Sequence, residues 1–165
     1  MGTLSGKRSK TTDRSAEDQI AGFVAKFDPA NAKTIRACRA ALRKRFPTAF
    51  ELVYDNYNFL VFGFCASEQP SDCILSLAAA ANGVGLSFYR GASLPDPHKR
   101  LQGSGSQNRF VRLPEASVLS EPPVAALIDA AVAQSAKPMP KSGRGKTIIR
   151  SISAKQRPRR AKSAR

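Results

Sequence analysis

Between Phe50 and Phe88 the chain alternates apolar and polar residues in four short runs, and only a few residues join each run to the next. That spacing excludes most sheet topologies. A parallel pair needs a crossover of about a dozen residues or more, whereas antiparallel neighbours need only a turn. "AFELVYDNY" puts Phe50, Leu52 and Tyr54 on one side and Glu51, Val53 and Asp55 on the other, because side chains along a strand point to alternate faces. "FLVFGFCA" is apolar on both sides, as a central strand would be. "CILSLAAAA" directs Cys73, Leu75 and Leu77 inward. "VGLSFYR" directs Val84, Leu86 and Phe88 inward, with Ser87 and Tyr89 outward. The links "DNYN", "SEQPSD" and "NGVG" carry residues that tolerate turn geometry. The four runs therefore predict an antiparallel meander, and "RFVRL" predicts a fifth strand after a long irregular segment.

Helical periodicity flanks the meander. Ile20, Phe23, Val24 and Phe27 recur at three- and four-residue steps. "DPAN" breaks that helix, and Pro29 suits the first turn of the next. This second helix spans roughly residues 30–45, with Ile35, Cys38 and Leu42 as its buried stripe. Arg36, Arg39 and Arg43 share another face, which is expected to be solvated. Ser120, Pro122 and Pro123 open a last helix whose stripe is Val124, Leu127, Ile128, Ala131 and Val132. The expected fold class is α+β: a five-stranded antiparallel meander packed by two N-terminal helices and one C-terminal helix.

The net charge of +15 is concentrated at the ends. Residues 136–165 hold eleven Lys/Arg and no acid, whereas residues 16–135 hold 12 bases and 11 acids. The composition divides the chain into a disordered basic arm (1–15), a folded domain (16–135) and a disordered basic tail (136–165). In the tail, Arg144, Lys146, Arg150, Arg157, Arg159 and Arg160 are candidate contacts to nucleic-acid phosphates, without sequence preference. "TIIRSISA" within it could form a short strand or helix on a partner, and the tail has no aromatic stacking platform. "SGRGKT" ends like a phosphate-binding loop, but Pro140 stands where that motif needs glycine, and no strand is expected before it.

Chemistry-bearing residues are scarce. One histidine, His98, lies in a polar loop, so no histidine-based triad can be built, and the three cysteines have neither disulfide nor zinc spacing. Cys38 and Cys73 fall on apolar faces and Cys65 in a strand buried on both sides, so all three are expected to be core thiols. No apolar run is long enough to span a bilayer and no secretory h-region is present. The expectation is a cytoplasmic, non-enzymatic chain without a cofactor, metal or membrane contact. Nothing in the sequence fixes its oligomeric state.

The strongest candidate for a small-ligand site is the loop before the fifth strand. Arg90–Arg112 carries five bases and one acid, and "LQGSGSQNRFVRL" sets Gly103 and Gly105 beside Arg109 and Arg112. Glycine amides can cradle an anion, and arginine can grip it bidentately. Arg90, Gly103, Gly105, Arg109 and Arg112 are thus candidate anion ligands. Arg109 and Arg112, three apart on a strand, should point to opposite faces, so only one can readily join Arg90. The alternative is that the glycines merely supply positive φ for a turn.

"FYRGASLPDP", "LQGSGSQNRFVRL", the helix that follows, and the pattern Pro47, Ala49, Glu51 and a tyrosine resemble the YdhG-like family of small bacterial domains of unknown function. The resemblance covers about residues 18–135. It implies an α–β5–α fold similar in outline to frataxins. Some related proteins are regarded as intracellular iron chaperones, which makes iron delivery the alternative function. Iron prefers carboxylate and imidazole ligands, however, and the helical half sets Glu17, Asp18 and Asp28 against Lys26, Lys33, Arg36, Arg39 and Arg43. The favoured reading is a binding domain for a small anion or a protein partner, with a basic tail that touches nucleic acid.

Overall fold

The computed structural model describes residues 4–162, with side chains from residue 15 onward. Two helices, α1 (Leu4–Ala25) and α2 (Pro29–Arg45), precede the strands. Backbone from Leu4 is thus helical where composition points to an arm. Asp28 separates the helices and caps α2 by accepting the amide of Asn31 at 2.8 Å, with Pro29 preset in the first turn. The meander follows as β1 (Phe50–Asp55), β2 (Leu60–Cys65), β3 (Cys73–Ala80), β4 (Gly83–Phe88) and β5 (Arg109–Arg112). Then come α3 (Pro122–Gln134) and a last strand, β6 (Thr147–Ile152).

The sheet order is β5-β4-β3-β2-β1-β6. The chain is α+β, and β1 to β5 pair antiparallel in sequence order. The expectation of five antiparallel strands needs one correction. The supposed tail supplies a sixth strand, parallel to β1, so the sheet is mixed. Parallel pairing is possible here because α3 and its flanking loops lie in the long connection. A composition rule that reads charge as disorder fails because this segment pairs its backbone with β1 and its Arg159 with Asp55 inside the fold.

The helices bury one sheet face. Phe27, Ile35, Leu42 and Ile128 pack against Val53, Phe62, Leu77 and Leu86. Two acids share the helix-facing side of β1 with Val53, and both are buried: Glu51 at 3% exposure and Asp55 at 0%. Buried carboxylates require partners. Arg39 of α2 grips Glu51 through Nε and Nη2, both at 2.8 Å, and donates also to Glu17 of α1. The expected solvated face of Arg36, Arg39 and Arg43 is therefore corrected: Arg39 is a buried connector.

The C-terminal segment completes both pairs. Thr147 Oγ1 donates to Glu51 at 2.8 Å. Arg159 Nη2 donates to Asp55 at 2.9 Å, opposite Lys26 Nζ at 2.6 Å. Gly145 lets β6 approach. A Cβ there would lie 1.6 Å from the Ala49 carbonyl oxygen, while its amide donates to Pro47 at 3.1 Å. Gly145→Ala is therefore expected to detach β6, which amide hydrogen exchange would register as lost protection at residues 147–152 with retained protection in β2 and β3. Among the described residues no helix is long and apolar enough to cross a membrane.

Candidate binding face

The face of the sheet turned away from the helices is built by the other half of the strand alternation. On β2 to β5 it presents Val61, Ser76, Ala78, Gly85, Ser87 and Phe110, with Arg112 beside Phe110. Small residues at the centre make a low floor. Large ones stand at its margins: Phe59 and Tyr89 are 46% and 60% exposed. Together they form an open groove of about 390 Å³. Its lining includes aromatic rings and one guanidinium but no carboxylate. Arg112 lies over the Phe110 ring, 5.8 Å from its centroid, a cation–π arrangement.

Basic groups also reach the end where the β1–β2 and β3–β4 turns meet the groove. Arg157 sits 5.7 Å over the ring of Tyr57, and its amide donates to the Tyr57 carbonyl at 2.8 Å. Arg150 lies beside Tyr54 on β1, whose hydroxyl is pushed up by burial against the opposing pull of that arginine. The face therefore couples exposed rings with arginines and leaves Glu51 and Asp55 on the other side of the sheet.

The residues singled out for an anion site do not assemble into one. Arg109 and Arg112 point to opposite faces, as strand alternation requires: Arg112 pairs opposite Gly85 on the open face, and Arg109 opposite Phe88. Arg109 Nη1 donates to the carbonyls of Gly105 and Asn108, so the loop offers it oxygens rather than turning amides outward. Gly103 adopts φ 113°, the left-handed region that favours glycine, and packs near Arg109 and Phe110. Arg90 is exposed and lines a small cavity of about 40 Å³ with Asp72, Cys73 and Lys137. The glycine loop is thus a turn into β5, and Arg112 alone of the set joins the open groove.

The six tail residues divide similarly. Arg144 and Lys146 are exposed beside the start of β6. Arg150 and Arg157 flank the open face. Arg160 is exposed, with Nε donating to the Lys26 carbonyl at 3.2 Å. Arg159 is 4% exposed, bound to Asp55 and stacked over Phe27, so it is a structural residue rather than a presented one.

Of the three cysteines, Cys38 and Cys65 are buried as expected and Cys73 departs from the core assignment. Cys38 is buried in the helix–sheet core, where burial raises its thiol pKa to about 11. Register shifts between Phe64 and Cys65, so Cys73 pairs with Cys65 and leaves the core face kept by Leu75 and Leu77. No sequence signal marked that bulge. His98 is exposed in its loop. Among the described residues no three His, Cys, Asp or Glu side chains cluster as a metal site. Glu17 is engaged by Arg39 and Arg43, and Asp28 caps α2.

The open face was legible in principle. The alternation that put Leu75, Leu77, Leu86 and Phe88 inward also puts Ser76, Ala78, Gly85, Ser87 and Tyr89 outward, and an outward row of small residues ending in rings marks a surface built to be approached. Comparison with family models, characterised proteins and solved structures finds no match to this chain.

Proposed function

We propose that the chain is a non-enzymatic cytoplasmic binding module that takes single-stranded nucleic acid on the open face of its sheet. The observation that supports it is the groove itself: Phe59, Tyr89 and Phe110 around a floor of Gly, Ala and Ser, with Arg112 alongside and no acid in the lining. Unpaired bases stack on such rings whatever their identity, and phosphates seek the arginines. The net charge of +15 supplies the long-range attraction. Arg150, Arg157 and the exposed Arg144, Lys146 and Arg160 extend the contact beyond the groove, as the tail reading anticipated.

This reading places the small-anion expectation on the sheet face rather than the glycine loop. A YdhG-like affiliation is retained within the proposal. Helices before and after five meander strands support it, while β6 lies outside that pattern. Iron delivery is the weaker alternative, since Glu17 and Asp28 are already engaged.

The test is fluorescence anisotropy with labelled oligothymidine. Wild type should bind more tightly to the single strand than to a duplex of equal length, and Arg109→Ala should bind as wild type does. Equal affinity for both forms of DNA would leave only nonspecific charge attraction.

A further inference from the structure

We infer that Cys65 and Cys73 form a reversible dithiol–disulfide site in which Cys73 is oxidised by a hydroperoxide and Cys65 resolves it. Three features of the fold carry this. The bulge at Phe64/Cys65 makes the two cysteines direct cross-strand partners, and antiparallel partners have Cα atoms about 4.5–5.5 Å apart, inside the range a disulfide spans. Gly63, next to them, keeps the space between them open. A Cβ at that position would lie 3.2 Å from the Cys73 sulfur and 3.6 Å from that of Cys65, so both sulfurs converge on one point. Finally, Cys73 lines both the open groove and the small cavity with Arg90 and Lys137, whose volume of about 40 Å³ suits a molecule little larger than water. Cys65 is 1% exposed and has no such opening in either lining.

The asymmetry assigns the roles. Cys73 receives support from the Cys65 thiol and the Ser76 hydroxyl, the latter at 3.4 Å, which draw it below the ordinary thiol value despite burial. Cys65 is shifted upward by its neighbour and by burial and remains a thiol. A thiolate is the competent nucleophile. The Cys73 thiolate attacks one oxygen of hydrogen peroxide. An S–O bond forms, the O–O bond breaks, and the departing hydroxide takes a proton to become water. The Cys65 sulfur then attacks the Cys73 sulfenic sulfur. The S–S bond forms as the S–O bond breaks, and the hydroxyl leaves with the Cys65 proton as a second water. Two thiols are oxidised, and one peroxide is reduced by two electrons to two waters.

The test uses the full chain, native and reduced, exposed to equimolar hydrogen peroxide and then alkylated with iodoacetamide. Peptide mapping should recover a Cys65–Cys73 crosslink with Cys38 alkylated. In Cys65→Ser, dimedone should trap a sulfenic acid at Cys73. At limiting iodoacetamide without peroxide, Cys73 in the wild type should alkylate at least tenfold faster than Cys38. A peroxide-treated wild type with no such crosslink, or one in which Cys38 oxidises as fast as Cys73, would overturn the assignment. Both readouts come from the unmutated protein, so a folding defect in Cys65→Ser cannot decide the matter.

Discussion

Replacing Asp55 by alanine is expected to lower the stability of the fold by about 3–5 kcal/mol, the range found when one partner of a buried ion pair is removed. The Asp55 side chain has no exposure and that of Arg159 only 2%. Among the described residues Arg159 Nε and Nη1 lack hydrogen-bond partners, so the carboxylate is the counter-charge that, with the Asn56 carbonyl, makes this guanidinium tolerable in the interior. Lys26, with 42% of its side chain exposed, can turn to water. Arg159→Met should therefore cost less than Asp55→Ala, because Asp55 keeps Lys26. The double variant should be closer to Arg159→Met than the sum of the two. Urea denaturation of the four proteins measures this cycle. Additive losses would show that the pair is not coupled.

The same pair sets an acid limit. Burial alone would raise the Asp55 carboxyl, but hydrogen bonds from Lys26, Gln156 and Arg159 outweigh it and leave it below its ordinary value. Glu17 is lowered as well, chiefly by its hydrogen bond from Arg39. A depressed carboxylate contributes stability at pH values above its unfolded pKa and loses it as the pH falls through the folded one. Unfolding free energy should therefore decline below the ordinary carboxylate range, and the decline should be shallower in Asp55→Asn, which lacks one of the titrating groups.

The second large effect concerns binding. Phe110→Ala removes a ring from the β5 edge of the groove, and base–aromatic stacking contributes about 1–3 kcal/mol per base. Affinity for oligothymidine should fall by about 5- to 150-fold. Tyr89 stands at the exposed margin, and Tyr89→Ala should act in the same direction. Arg112→Ala should instead alter the salt response. Each phosphate neutralised on a single strand contributes about 0.7 to the slope of log K against log salt, so its loss should flatten the slope by about that amount. Phe110 and Arg112 lie on the open face of β5 and Tyr89 is exposed just past β4, and the three variants should keep the wild-type melting temperature within a few degrees.

Residue patterns alone read the meander correctly, because alternation and short links act locally. Leu75, Leu77, Leu86 and Phe88 lie where their period puts them. "TIIRSISA" reads as a short strand or helix on a partner, and its place beside β1 escaped for a different reason. Its docking depends on Glu51 and Asp55, about a hundred residues earlier, and neither acid advertises its partner. Viewed locally, "TIIRSI" is a short apolar run within a strongly basic stretch. Arg39 was misread in the same way, since a charge on a helix is ordinarily solvated unless an acid waits across the interface. The site was partly legible: Arg112 was named and its separation from Arg109 followed from strand geometry. The glycine loop drew attention by its motif-like look, although glycine spacing cannot reveal whether amides or carbonyls face outward.

Chemical-shift mapping of an oligothymidine titration on the isotopically labelled chain tests the central claim most directly. The account predicts the largest perturbations at the amides of Val61, Ala78, Gly85, Phe110 and Arg112, with smaller ones at Arg150 and Arg157. Perturbations confined to residues 136–146, or to α2 around Arg36 and Arg43, with the open sheet face unchanged, would contradict it.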